Sequence, residues 1–346
     1  MAYQNVGTPR FYVDYGSWLK ATGLFKDYSE AGMTWDNYGG GIDVFRNIIG
    51  LNPASQKVFS LNGTQQVCYY GISSGCFSED SYLNYVAILG HNFNTSNCRN
   101  YIETYSSDDG TATLSATDII NYSSSVAPPE QDGFHIMGIT NPNTSEGRHE
   151  GVRINLVPDG DTSYTDDIKI GAICYGRYYD MPHSPDMNLK MSIEMDGIQT
   201  IQGRGGATLS NATYTKPANW GDMGAWQLGS DEDGNPISNL RSGRRVWELS
   251  FSYLSDSSVM PANASTTNLS GSEADDFETD ILDGTDFFSQ VWNKTMGGHL
   301  PFIFQPDNTN NNPDQFAIAR FDMNSLQYEQ VANNVYNVKL KIRESW

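Results

Sequence analysis

Gly71-Ile72-Ser73-Ser74-Gly75 has the G-x-S-x-G spacing of a hydrolase nucleophile, where a sharp turn between a strand and a helix lifts the serine hydroxyl toward its base. The residues that follow, Cys76-Phe77-Ser78-Glu79-Asp80, carry no apolar stripe at helical period, so the supporting helix is missing. In a chain with 33 glycines the pattern reads as a turn. His149-Glu150 opens like a zinc-binding H-E-x-x-H pair, yet Arg153 stands where the second imidazole has to face the metal. The five histidines, His91, His135, His149, His183 and His299, are scattered and mostly beside turns, which assigns them capping or surface roles. Asp159-Gly160-Asp161-Thr162-Ser163 and Asp231-Glu232-Asp233-Gly234 gather oxygen ligands but lack the acidic residue that closes a calcium loop at position twelve. Gly203-Arg204-Gly205-Gly206 has no lysine after it and the wrong glycine spacing for a phosphate loop. No catalytic, metal-binding or cofactor-binding residue is assigned, and the expectation is a protein that is not an enzyme.

Aromatic rings near turns offer a different chemistry, because a flat apolar face stacks on a sugar ring or on a partner protein. Tyr69-Tyr70, Tyr178-Tyr179, Trp220 and Trp226 stand in such places. Tyr178, Tyr179, Trp220 and Trp226 are the candidate glycan or partner contacts.

The elements that position these groups are short strands. Charged residues make up 18% of the 346, while Asn, Ser, Thr, Gly and Tyr are abundant, which favours turns and strands over salt-bridged helices. Lys+Arg 21 against Asp+Glu 41 gives a net charge of -20, a field that repels nucleic acid and anionic lipid. No secretion signal and no apolar run of membrane-spanning length are visible. Cys68, Cys76, Cys98 and Cys174 match neither a zinc ribbon nor a dense disulfide framework and read as free thiols of a protein made in a reducing cytoplasm.

Strands are expected at Arg10–Tyr15, Lys57–Leu61, Gln66–Gly71, Tyr101–Tyr105, Gly133–Ile139, Val152–Val157 and Ile168–Tyr175. Tyr82–Gly90 is apolar almost throughout, as a strand buried on both sides must be. Met187–Met195 alternates at period two and reads as a half-buried strand, and Arg244–Tyr253 as one with an aromatic face of Trp247, Leu249, Phe251 and Tyr253. The one helix expected runs from about Thr285 to Met296, with Phe287, Phe288, Val291 and Trp292 on one face and Gly297-Gly298 after it. Leu300–Gln305, Gln315–Asp322, Ser325–Val331 and Val335–Arg343 form a closing antiparallel meander.

These elements give a mainly β fold of two sandwich or jelly-roll-like domains with one short helix near the C-terminal domain. Residues 1–75 form an N-terminal scaffold packing with the C-terminal domain, and 76–183 form the jelly roll. Residues 184–346 form the second sandwich, with long loops at 203–242 and 255–280. The prolines of Met181-Pro182-His183-Ser184-Pro185 mark the boundary.

Tyr85-Val86-Ala87-Ile88-Leu89-Gly90-His91-Asn92, with Ile168-Lys169-Ile170-Gly171-Ala172-Ile173-Cys174-Tyr175-Gly176, resembles the discoidin-like, galactose-binding-type jelly roll found in phage tail proteins. Arg244-Arg245-Val246-Trp247-Glu248-Leu249-Ser250-Phe251, Leu300-Pro301-Phe302-Ile303-Phe304-Gln305 and Tyr336-Asn337-Val338-Lys339-Leu340-Lys341-Ile342-Arg343-Glu344 are similar to tail-tip and distal-tail β-domains. The resemblance implies a structural component of a tailed-phage virion, at the tail tip, baseplate or connector. It implies a homo-oligomer, ring or trimer, that partners other virion proteins without binding nucleic acid directly. The alternative is a carbohydrate-binding β-sandwich that grips a host glycan.

Overall fold

A computed structural model describes residues 7–23, 48, 50–51, 57–59, 67–72, 83–105, 111–113, 115–122, 127–140, 151–160, 163–194, 198–212, 244–261 and 284–345. Over these residues the chain is mainly β, and every strand pairing is antiparallel. Ser73, Cys76, His149, Glu150, the acidic loop Asp231–Gly234, Trp220 and Trp226 lie outside the described residues, as do residues 213–242 and 262–280 of the two expected long loops.

Two four-stranded sheets occupy the middle of the chain. One has the order Ala172–Gly176, Tyr85–Leu89, Phe134–Thr140, Ser115–Ile120, and the other Val67–Ile72, Gly151–Pro158, Cys98–Tyr105, Thr111–Thr113. Val86, Ile88 and Met137 of the first share a core with Ile102, Ile154 and Leu156 of the second. Tyr85, Ala87 and Leu89 point into a different apolar cluster with Tyr12, Ile303 and Ile318. Tyr85–Leu89 is therefore buried on both faces, the physical reason its five residues are all apolar. The expected strand Ile168–Tyr175 divides at Gly171: Ile168–Ile170 pairs with Lys57–Phe59, whereas Ala172–Gly176 pairs with Tyr85–Leu89.

The larger sheet runs Tyr178–Asp180, Arg10–Tyr12, Phe302–Gln305, Ala317–Phe321, Val335–Glu344, Arg244–Ser255, Lys190–Glu194, with Tyr328–Ala332 also on Val335–Glu344. The closing strands are not a simple meander. Ala317–Phe321 and Tyr328–Ala332 pair with opposite halves of the long last strand, which is held on its other side by Arg244–Ser255. Phenylalanines fill the core face, with Phe11 5.5 Å from Phe302, Phe302 4.8 Å from Phe321, and Trp247 5.1 Å from Phe304, ring centre to ring centre. Such contacts are worth about 0.5–1.5 kcal/mol beyond the area they bury.

The expected helix at 285–296 is present as a π-helix, Phe288–Asn293, with Phe287 just before it. Phe287 meets Phe11 edge to face at 5.5 Å, so the apolar stripe docks on the sheet. A second helix, Tyr15–Thr22, replaces the end of the extended segment expected at 10–15. Asp14 caps it by accepting from the backbone N–H of Gly16 and Ser17, and Gly23 ends it at φ 75°. Asp256–Val259 adds a single short helical turn. No helix among the described residues is long and apolar enough to cross a membrane.

The sandwich and the large sheet are tied by an amide clamp. Tyr178 N–H donates to Asn84 Oδ1 at 2.7 Å, and Asn84 Nδ2 returns a bond to the Tyr178 carbonyl at 3.4 Å. Gly176, just before this point, has no room for a side chain, because a Cβ there would overlap the Val13 carbonyl.

Candidate functional site

Tyr178 and Tyr179 stand on the strand that borders Arg10–Tyr12, and both rings have partners within the chain. The Arg10 guanidinium lies 3.9 Å from the centre of the Tyr178 ring and is held there by Asp180, which accepts from Arg10 Nε at 2.6 Å and from a terminal nitrogen at 2.8 Å. Tyr179 packs against Phe287 at 5.7 Å and donates its hydroxyl to the Ser258 carbonyl at 2.7 Å. Tyr69 and Tyr70 fall on the strand Val67–Ile72.

The opposite margin of the same sheet is different. Lys190–Glu194 pairs with Arg244–Ser255 on one side and with no described strand on the other. Asp186 fixes the approach: its N–H donates to the Ser250 carbonyl at 2.7 Å, and its carboxylate accepts from the Ser252 hydroxyl at 2.7 Å. Side chains alternate across a strand, so Met191 and Ile193 share the face of their neighbours Trp247 and Arg245. Trp247 is buried, but the face continues past it with no described element over it: Met191 is 56% and Ile193 57% exposed. The expectation of a half-buried strand is thus overturned, because alternation shows which residues share a face and not whether that face is covered.

The next element in the chain carries exposed apolar side chains of its own. Ile198–Gln202 and Thr208–Ala212 form a hairpin in which Ile201 stands opposite Leu209, and these two are 67% and 64% exposed. Thr200, Gln202, Ala207 and Thr208 are exposed as well, so neither face of this part of the hairpin is covered. Gly203-Arg204-Gly205-Gly206 supplies its turn, with Gly206 at φ 78°.

Across the strand, the other face is charged. Lys190, Glu248 and Lys341 stand in one row over three strands, with Lys190 Nζ 3.9 Å from the Glu248 carboxylate. Lys341 also meets Asp322 at 2.6 Å, which raises its ammonium pKa. At the far end Arg343 donates to Glu194 at 3.0 Å. A groove of about 530 Å³ opens on this face, lined by Asn188, Lys190, Glu248, Asp322, Lys339 and Lys341.

Two histidines depart from the surface roles expected of them. His91 and His135 are buried at the end of the sandwich, where Phe93 stacks on His91 at 4.4 Å. The Phe93 N–H donates to His91 Nδ1 at 3.2 Å, so the His91 proton sits on Nε2 and is given to His135 Nδ1 at 2.9 Å. His135 Nε2 then carries a proton facing the Asn100 side-chain amide at 3.2 Å. Turning that amide end for end gives this proton an acceptor and satisfies an Asn100 oxygen that otherwise has no partner. Burial drives both imidazoles well below the usual range; His91 lowers His135 further, while a backbone hydrogen bond at Phe134 partly offsets the burial of His91. Among the described residues no group of three His, Cys, Asp or Glu side chains is placed to hold a metal ion. Cys98 and Cys174 are buried free thiols.

No family model matches the chain and no curated protein matches it. Among solved structures it is similar to a chain described as CpGH89CBM32-6 produced by Clostridium perfringens, at 14% identity and a TM-score of 0.25, over 40% of this chain and 89% of that one. At that TM-score the likeness carries no argument about fold or function.

Proposed function

We propose that this chain is a structural component of a tailed-phage virion, of the tail-tip, baseplate or connector kind, that works by assembling with copies of itself and with other virion proteins. The observation that carries this reading is the exposed apolar pair Met191 and Ile193 on a strand with no described neighbour on one side, together with the exposed Ile201 and Leu209 of the hairpin that follows it in sequence. A two-stranded hairpin is marginal in water without a surface to pack on, and contiguous exposed apolar side chains on a folded protein mark interaction sites. The resemblance of the strands at 244–251, 300–305 and 336–344 to tail-tip β-domains gives these side chains their setting. Net charge of -20 suits a particle surface that must not hold passing DNA. Electron micrographs of the purified protein test the reading: rings or other closed assemblies support it, and isolated single chains at every concentration contradict it.

A second reading is favoured by the groove beside Lys341. Its carboxylates, amides and ammonium groups offer the donors and acceptors that a polyhydroxylated ligand requires, which suits a carbohydrate-binding module on a host-facing particle. Glycan-array binding that disappears in Asp322→Asn supports this second reading, and an array without signal removes it.

A further inference from the structure

We propose that the edge strand Lys190–Glu194 pairs antiparallel with the same strand of a second copy of this chain, about a two-fold axis through Ser192. The inference rests on the assembly reading above and adds the partner, the register and the symmetry.

The strand reads Lys-Met-Ser-Ile-Glu, which is complementary to itself when reversed. Antiparallel pairing centred on Ser192 sets Lys190 opposite Glu194 of the second copy, Met191 opposite Ile193, and Ser192 opposite Ser192. Directly opposed residues of antiparallel strands lie close enough for such pairs to decide register. The charge pattern inside the sheet already has the matching sign. Lys190, Glu248 and Lys341 alternate along one row, and a Glu194 from the second copy continues the alternation outward. On the other face the two half-exposed pairs, Met191 with Ile193 and Ile193 with Met191, cover the apolar strip that Trp247 leaves open. A slip by one residue turns every side chain to the wrong face, and a slip by two sets Met191 or Ile193 against its own copy with one charged end left unpaired.

Native edges are usually protected against pairing of this kind by brevity and by lysine. Here the strand is short, but its lysine is matched by a glutamate at the other end, so the protection fails against one partner, a copy of itself. Five residues alone bury less than a standard interface of about 1,600 Å², so the pairing is expected to be weak enough for single charge reversals to disrupt it. The contact is isologous and therefore closed: it joins chains, or rings of chains, in twos.

The test is sedimentation velocity of the full chain over a wide concentration range, with the fold of each variant checked by circular dichroism. Wild type is expected to show a two-chain step that weakens with added salt. Lys190→Glu sets glutamate against glutamate at both ends, Glu194→Lys sets lysine against lysine, and each is expected to weaken the step by about tenfold or more. Mixing the two variants restores both ion pairs and is expected to restore the step, which no effect confined to one chain can do. Ser192→Asp, which opposes two carboxylates on the axis while leaving Glu194 on Arg343, provides a variant independent of the ends. Wild-type assembly that is unchanged in all three variants overturns this pairing, assigns the edge to a different partner, and leaves the assembly reading standing. A single-chain mass for wild type at every concentration overturns both.

Discussion

Asp14 is fully buried, and burial pushes its carboxyl up to about 6 against the pull of its bonds from Ser17 and Gly16. A raised folded value gives stability that is fully present below the ordinary value of 3.8 and is lost as pH rises through about 6. Between about pH 4 and 6, unfolding thus releases one proton from Asp14. His91 and His135 have the opposite sign, since imidazoles held neutral in the fold gain protons on unfolding, and their contribution is lost as pH falls below about 6.5. Replacing Asp14 by Asn keeps a capping side chain and removes the opposing proton. The unfolding free energy of Asp14→Asn is therefore expected to fall more steeply than that of wild type between pH 6 and 4, by about 1.4 kcal/mol per pH unit. Urea titrations across that range measure it, and parallel curves contradict a neutral Asp14. The cap was hidden in the sequence, because the apolar run Arg10–Tyr15 continues through Asp14 as an extended segment and gives no helical period before the helix starts at Tyr15. The histidine pair was hidden too, because His91 and His135 are 44 residues apart and only the pairing of Tyr85–Leu89 with Phe134–Thr140 brings them to 2.9 Å.

At the scale of elements, the strands were legible and their neighbours were not. Tyr85–Leu89, Gly151–Pro158, Arg244–Ser255 and Val335–Glu344 are close to where apolar and β-branched residues place them. Tyr253 shows the limit: the period-two pattern puts it with Trp247, Leu249 and Phe251 on the buried face, yet it is 79% exposed. The register shifts between Phe251 and Leu254, and Tyr253 takes φ 63°, so a bulge turns its ring outward. That shift depends on the partner strand Val335–Glu344 and leaves no mark on local alternation. The edge at Lys190–Glu194 is hidden in the same way, since its Met and Ile look like any core pair until the sheet order makes it the last strand. Ile193→Thr is accordingly expected to change the stability of the isolated chain by no more than about 0.5 kcal/mol while weakening association. Denaturant unfolding beside sedimentation separates the two, and a large loss of stability contradicts an uncovered strip. Gly176→Ala is expected to behave oppositely, costing about 1–3 kcal/mol, because its Cβ meets the Val13 backbone rather than a side chain that can move. A thermal midpoint equal to that of wild type contradicts the tight joint between sandwich and sheet.

For the whole molecule, composition excluded more than it assigned. The low share of charged residues with abundant turn and strand formers points to the mainly β class, and the fold has it; the net charge of -20 speaks only against nucleic-acid and anionic-lipid partners. What the chain does depends on which surfaces stay uncovered once the strands have found their places, and sequence patterning reads cores far better than it reads surfaces. The Gly71–Gly75 motif lacks a supporting helical pattern after it, whereas the exposure of Met191, Ile193, Ile201 and Leu209 is visible only in the folded chain. Assembly through these exposed side chains is the central claim. The measurement that tests it most directly is the mass of the native protein by light scattering over a hundredfold range of concentration. The expected result is a mass that rises to an even multiple of the single chain and falls back in Lys190→Glu; a single-chain mass throughout contradicts the claim.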